Sequence, residues 1–173
     1  MSEPTRIEVR VDSLDDLLDE RDPTPVPGKD LNPYVSEFVV SWAKEIPVRD
    51  QLAIRLHVSE EVSPERGRRA EESIRAAFEH EIGLAERRLR ALFREGRVSL
   101  MVGLSALAVS LVGSQVIAAS EGVGVLLREG LIVAGWVAMW KPIQIYLYDW
   151  WPIRREIRIY RRLAQAPVDL VTG

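Results

Sequence analysis

Two short segments of the chain alternate between apolar and polar residues. In residues 6–11 the apolar positions are Ile7, Val9 and Val11, and residues 52–58 repeat the alternation. Successive side chains of a strand point to opposite faces, so each segment has one face for a core and one for water. The pattern predicts two half-buried strands, one near the N-terminus and one further along.

A helix is predicted between the two strands. Residues 22–33 carry four prolines and a glycine and are expected to form a loop. After them, an apolar stripe at helical spacing runs up to the next proline and comprises Tyr34, Phe38, Trp42 and Ile46, with Val35 and Val39 beside them. This stripe predicts a helix between the two strands.

Residues 1–60 are therefore expected to form a small α+β module of strand, loop, helix and strand. Two strands and one helix bury little apolar surface, and units of this size are marginally stable. We expect the module to borrow apolar surface from a second copy or from the helix that follows.

One long helix is predicted after the module. Ser63 precedes Pro64, a capping hydroxyl followed by a residue favoured at the first helical position, and the next proline is Pro142. Residues at alternating spacings of three and four then form a helix-packing seam. The seam comprises Phe78, Ile82, Ala85, Leu89, Leu92, Ser99, Gly103, Ala106, Ser110 and Gly113. Its large members lie in an amphipathic part, 63–97, and its small members lie beyond, where close backbone contact drives packing in lipid.

The strongest pattern is an uncharged run of 23 residues between Arg97 and Glu121. A helix of that length extends about 34 Å, enough to cross a hydrocarbon core of about 30 Å. A second apolar stretch follows, so we predict transmembrane helices at 98–119 and 125–148, joined by an outer turn at 120–124. The predicted fold class is an all-α membrane hairpin, its first helix continuous with a long cytoplasmic helix, with the small α+β module in front.

Arginines flank the predicted hairpin on one side only. Five lie in the fifteen residues before the first span and five follow the second, whereas the connection carries Arg128 alone. The positive-inside rule then places both termini in the cytoplasm, with the hairpin in the plasma (inner) membrane. The N-terminus has no apolar export signal, in keeping with that orientation. Twenty arginines against three lysines indicate a GC-rich bacterial source.

The arginines after the second span belong to a predicted basic amphipathic helix at 152–165. They are Arg154, Arg155, Arg158, Arg161 and Arg162. This helix either packs along the large residues of the seam or lies on anionic lipid as a membrane-surface helix. We favour packing, because the arginines can pair with glutamates of the long helix. Residues 166–173 are expected to be a tail.

Charge and composition argue against several functions. The first 60 residues hold 13 acidic against 7 basic side chains, which disfavours nucleic acid as a partner. The chain has no cysteine, phosphate-binding loop, nucleophile elbow or metalloprotease motif. His57 and His80 lack a second ligand at metal-binding spacing, so we interpret both as solvent-exposed. We therefore expect no enzyme activity, cofactor or metal.

Four residues are candidates for a functional site in the membrane: Lys141, Pro142, Asp149 and Gln115. An ionisable residue in an apolar span, beside a proline that frees a carbonyl near Ala138, is a functional candidate. The alternative is a proline kink with a lysine that extends to the interface. The serines of the first span either support helix packing or line a pore, and we favour packing.

The sequence thus predicts a non-enzymatic, oligomeric membrane protein that acts as a scaffold, anchor or accessory subunit. The seam and the small module favour pairing with further copies, or with a cytosolic or membrane protein, through open strand edges. The alternative is a subunit of a small homo-oligomeric channel or transporter, with a path along Ser99, Ser110, Ser114 and Gln115. A third hypothesis is a membrane-surface organiser that acts through the basic C-terminal helix.

Overall fold

A computed structural model of the chain describes residues 5–18, 31–117 and 122–172. The described part contains the strands β1 (Thr5–Val11), β2 (Leu52–Val58) and β3 (Val168–Thr172). Its α-helices are α1 (Pro33–Glu45), α2 (Pro64–Ile117), α3 (Val123–Ala138), α4 (Trp140–Gln144) and α5 (Trp150–Ala164). A 3-10 turn, Leu14–Leu17, follows β1, and a π-helical stretch, Ile145–Asp149, separates α4 from α5. The predicted loop at 22–33 lies mostly outside the described residues.

The chain divides into two compact units. The first, called here the sheet unit, comprises Met1–Ala85 with Arg155–Gly173, and the second, the hairpin unit, is Glu86–Arg154. Helix α2 contributes to both, because no proline or terminating signal interrupts its sequence. Its start is capped as predicted, since the Ser63 hydroxyl accepts a hydrogen bond from the backbone N–H of Arg66 at 3.4 Å.

The sheet is parallel throughout, with β2 between β1 and β3. Ile7, Ile54 and Val168 form one row across it. The expectation that residues 166–173 form a tail was wrong, because β3 lies there. The apolar–polar alternation of this segment is too short to indicate a strand by itself, and its partner β2 is distant in sequence. The small module is therefore built from both ends of the chain, and its strands pair in the parallel manner of an α/β unit.

One face of the sheet carries the apolar core. Ile7, Val9, Ile54 and Leu56 are buried there together with residues of α1, α2 and α5. The connections from β1 to β2 and from β2 to β3 both cross to the next strand in the same direction along the sheet. Since such parallel connections are right-handed, their helices lie on the same face of the sheet. Because Phe78 of α2 is part of the core, the module does borrow apolar surface from the following helix, as expected.

Helix α1 exists as predicted, and its aromatic residues are turned away from the core. Val39 and Ala43 are its buried residues, whereas Tyr34, Phe38 and Trp42 are 83%, 43% and 50% exposed. The aromatic stripe therefore does not face the strands. Small and β-branched side chains allow the closer approach of helix to sheet, and helical spacing alone cannot say which of two adjacent apolar stripes is turned inward.

The hairpin unit folds back on itself as the sequence predicted. The position of a Cβ on Gly113 lies 3.5 Å from Leu131, and that of a Cβ on Gly96 lies 2.9 Å from Ile145. Both α2 and the helical stretch Val123–Ala164 are long and apolar enough to span a membrane. The second arm begins at Val123 rather than at residue 125. Residues 118–121, which cover the end of the first predicted span and the start of the expected turn, lie outside the described part of the chain.

Candidate functional site

The small residues of the predicted seam face the second arm of the same chain. A Cβ on Gly103 would lie 2.9 Å from the Ala138 carbonyl oxygen, and one on Gly135 would lie 3.0 Å from the Ser110 Cβ. Ser110 is only 6% exposed. The seam therefore joins the two arms of one hairpin, and this use of it requires no second copy.

The second arm is broken where the proline sits. Helix α3 ends at Ala138 and α4 begins at Trp140, with Met139 alone between them. Pro142 is buried and has no N–H to offer the Ala138 carbonyl one turn back. That carbonyl is the group that meets Gly103, so the break and the glycine lie at the same level of the hairpin.

Lys141 pairs with a residue that sequence reasoning missed. Its Nζ lies 3.4 Å from Oε1 of Glu95, and both side chains are slightly more than half exposed. Because Gly103 lies level with Ala138, Lys141 lies about level with Leu100, yet Glu95 is five residues earlier, about 7.5 Å along the helix. Lys141 thus extends toward the arginine-rich end of α2, the direction expected of a lysine that reaches for an interface.

The π-helical stretch carries Asp149 and a group of aromatic contacts. The Gln144 side-chain amide donates to the Asp149 carboxylate at 3.4 Å. The indole N–H of Trp150 donates to the Tyr146 carbonyl at 2.9 Å, and the guanidinium carbon of Arg154 lies 4.7 Å from the centroid of the Trp150 ring. Asp149 is therefore held within its own arm, and the contacts described for it do not include Lys141.

The remaining candidates do not form one site. Ser114 is buried and its hydroxyl donates to the Leu111 carbonyl at 2.7 Å, which satisfies it within its own helix. Gln115 is exposed and lies twenty residues, about 30 Å along α2, from the Glu95 that Lys141 contacts. The structure thus separates Gln115 from Lys141 and keeps Ser110 and Ser114 inside the helix contact.

Helix α5 packs by its apolar face, which is the favoured of the two predicted alternatives. Ile157 and Leu163 are buried, and the Tyr160 ring stacks on Phe78 of α2 at 6.4 Å. The helix begins at Trp150, two residues before the predicted start. Four of its arginines are exposed, namely Arg154, Arg155, Arg158 and Arg161.

Arg162 differs from the other arginines of α5. It is only partly exposed, and it donates to the carbonyl oxygens of Ile46 at 3.2 Å, Pro47 at 2.9 Å and Asp50 at 3.0 Å. The Ile46 carbonyl follows the end of α1, and the other two belong to the turn before β2, where the Pro47 carbonyl also accepts from the Asp50 backbone N–H at 3.1 Å. Arg162 is therefore a structural link inside the sheet unit rather than part of the predicted membrane-surface group.

The sheet unit also holds a small polar network that the sequence did not reveal. Glu60 accepts from the Leu14 backbone N–H at 3.2 Å and the Ser13 hydroxyl at 3.1 Å, and Arg66 lies 3.2 Å away. The hydrogen bond from Leu14, together with Ser13 and Arg66, holds the pKa of Glu60 below its ordinary value. This network fixes the turn after β1 against the start of α2.

A cavity of about 250 Å³ adjoins that network. Its lining includes the apolar side chains of Leu17, Leu31 and Ile74, together with Arg66 and Arg69 from the first turns of α2. Nothing within the described part of the chain groups three metal-binding side chains, there or elsewhere.

Comparison with known protein families, with curated proteins and with solved structures finds no match to this chain. Within the described residues, the polar groups of the hairpin unit lie in pairs rather than in one cluster. Exposed apolar side chains cover both arms and one face of α1.

Proposed function

We propose that this chain is an integral membrane protein whose two long apolar helices cross the bilayer as a hairpin. The exposure of those helices carries the proposal: in the most apolar stretch of α2 only 17% is buried, and in that of Val123–Ala164 only 6%. A core helix of a water-soluble protein with this composition would be covered. Side chains such as Val109, Val116 and Trp136 are 70%, 76% and 65% exposed, as surfaces that contact lipid require.

The sheet supports the orientation. Strands β2 and β3 are hydrogen-bonded neighbours, yet the whole hairpin lies between them in sequence. Both ends of the hairpin must then return to the same side of the bilayer. Since five arginines flank each of those two ends and the connection carries Arg128 alone, we place that side in the cytoplasm, at the plasma (inner) membrane.

The absence of cysteine allows a direct test of this topology. Single replacements Glu61→Cys and Thr172→Cys place one thiol in the sheet unit before the hairpin and one after it, and Val123→Cys places one at the turn. All three positions are exposed. A membrane-impermeant maleimide should label only Val123→Cys in intact cells, and the other two after the inner face is opened. Labelling of the two ends from opposite sides, or extraction of the protein by alkaline carbonate, would contradict the proposal.

The role that fits this arrangement is a non-enzymatic scaffold or accessory subunit that assembles through its sheet unit. Tyr34, Phe38 and Trp42 form an exposed stripe on α1, and the Phe38 and Trp42 rings lie 6.1 Å apart. Exposed aromatic side chains of this kind are the residues that most often dominate protein interfaces. Because the seam is occupied within one hairpin, the stripe on α1 replaces it as the expected contact between copies.

An apolar helix face can pair with its own copy about a two-fold axis, so the simplest assembly is a dimer through α1. Native mass spectrometry of the full chain in mild detergent should show dimers that Phe38→Ala with Trp42→Ala reduces to monomers. The matched control is Val48→Ala with Val171→Ala, which removes two exposed apolar side chains elsewhere on the sheet unit. A wild-type monomer at all concentrations, or equal loss of dimer in the control, would refute assembly through this stripe.

A further inference from the structure

One stripe along α2 changes from basic to apolar where the predicted membrane segment begins. Arg87, Arg90, Arg94 and Arg97 recur at spacings of three, four and three, so they share one helical face, and all four are exposed. Met101, Leu104 and Ala108 continue that face at the same spacing. These seven residues are called here the outer stripe.

The outer stripe is turned away from the second arm. The buried residues of this part of α2 are Gly96, Gly103 and Ser110, which contact the second arm and share no position with the stripe. Met101 and Leu104 are 62% and 50% exposed, so the apolar half is open as well. The whole stripe is therefore available to a molecule in the surrounding membrane.

Within the described residues, the arginines of the stripe are only slightly neutralised. Arg90 lies 3.9 Å from Glu86, a long separation for an ion pair. Arg94 and Arg97, the two nearest to the apolar half, are exposed and lie about one helical turn apart on the same face. Such a pair suits a phosphodiester oxygen group, which guanidinium binds with two parallel hydrogen bonds.

We infer that the outer stripe binds phospholipids with anionic headgroups, and this inference rests on the proposed position of the hairpin in a bilayer. The phosphate lies at Arg94 and Arg97, and one acyl chain lies along Met101, Leu104 and Ala108. From Arg97 to Ala108 the helix rises about 16 Å, close to the roughly 15 Å of one hydrocarbon leaflet. Nucleic acid or an acidic protein would contact only the arginines, whereas a phospholipid also contacts the apolar half of the stripe.

The test uses the full chain in mixed micelles with phosphatidylglycerol or phosphatidylcholine, and counts bound lipids by native mass spectrometry. Wild-type protein should retain phosphatidylglycerol in preference to phosphatidylcholine. Arg94→Gln with Arg97→Gln should lower that preference by about thirtyfold, whereas Arg94→Lys with Arg97→Lys should keep most of it. The matched control, Arg68→Gln with Arg75→Gln, removes two exposed charges from the same helix within the sheet unit and should change nothing.

Three outcomes would overturn the inference: equal retention of the two lipids by wild type, an unchanged preference in the Arg94 and Arg97 glutamine variant, or equal loss in the control. Displacement of the lipid by inorganic phosphate as effectively as by intact phosphatidylglycerol would show a simple anion site and would also overturn it. A failure of the proposed function is recognised separately, because wild type and all variants would then remain dissolved without detergent. If the protein stays in the membrane fraction without lipid preference, only this inference fails.

Discussion

Gly103 lies against the backbone of Ala138, so closely that a Cβ at residue 103 would come within 2.9 Å of the Ala138 carbonyl oxygen. Pro142, one turn further along, has no N–H for that carbonyl. In the proposed bilayer position no water would replace the missing donor, and a Cα–H group is a weak substitute that only a close helix approach provides. The helix interruption at the proline of one arm therefore lies against a glycine of the other arm, where no side chain prevents the close approach.

Gly103→Ala should destabilise the hairpin by about 1–3 kcal/mol, because the neighbour of the added methyl group is backbone and cannot move aside. Gly130→Ala is the matched control, since nothing lies within 4 Å of a Cβ at that position. The free energy of unfolding in mixed detergent micelles, followed by circular dichroism, measures both. Equal effects of the two substitutions would show that helix propensity, and not the contact with Ala138, governs stability there.

Arg162→Ala should destabilise the sheet unit by about 2–3 kcal/mol, because it leaves three carbonyl oxygens without their charged donor. Arg158→Ala removes an exposed arginine from the same helix and should cost less than about 0.5 kcal/mol. Urea unfolding of the full chain in detergent, with tryptophan fluorescence as the signal, gives both values. A large effect at Arg158, or none at Arg162, would be inconsistent with the structural role assigned to Arg162.

Two adjacent residues of β3 are expected to differ in how much their substitution lowers the stability of the sheet unit. Leu170 packs on the core, and its Cδ1 lies 2.7 Å from the position of a Cβ on Gly67, whereas Val171 is on the other face and 39% exposed. Leu170→Asp should cost about 3 kcal/mol or more, since it loses apolar burial and places a carboxylate in the core. Val171→Asp should cost less than about 1 kcal/mol. Limited proteolysis of the sheet unit reports both, and similar resistance of the two variants would argue against the observed register.

The stability of the sheet unit should fall in acid in part through Glu60. Its pKa is lowered in the folded chain, so the carboxylate contributes stability that is fully present above its unfolded pKa, about 4.5, and is lost as the pH falls through the folded pKa. Glu60→Gln should therefore flatten the decline in melting temperature below about pH 4.5. Glu61→Gln removes a neighbouring exposed carboxylate and serves as control. The same acid profile in wild type and Glu60→Gln would disprove the contribution.

Several features of this protein were determined by local sequence patterns. The start of α2 after Ser63, its continuation to Ile117 and the break of the second arm near Pro142 all follow from capping, helical periodicity and the missing N–H of proline. The small residues of the seam likewise marked the face of α2 that contacts another helix. Each of these depends on residues within a few turns of one another, which is the range over which a sequence pattern is read.

Other features were decided only by tertiary structure. β3 forms because the central strand has a second edge to pair, and α1 turns Val39 and Ala43 inward because they fit the sheet more closely than the aromatic stripe does. Glu95 and Arg162 find their partners 46 and more than 100 residues away. Such choices depend on which surfaces meet after the chain has folded back, and the spacing of residues along one element does not contain that information.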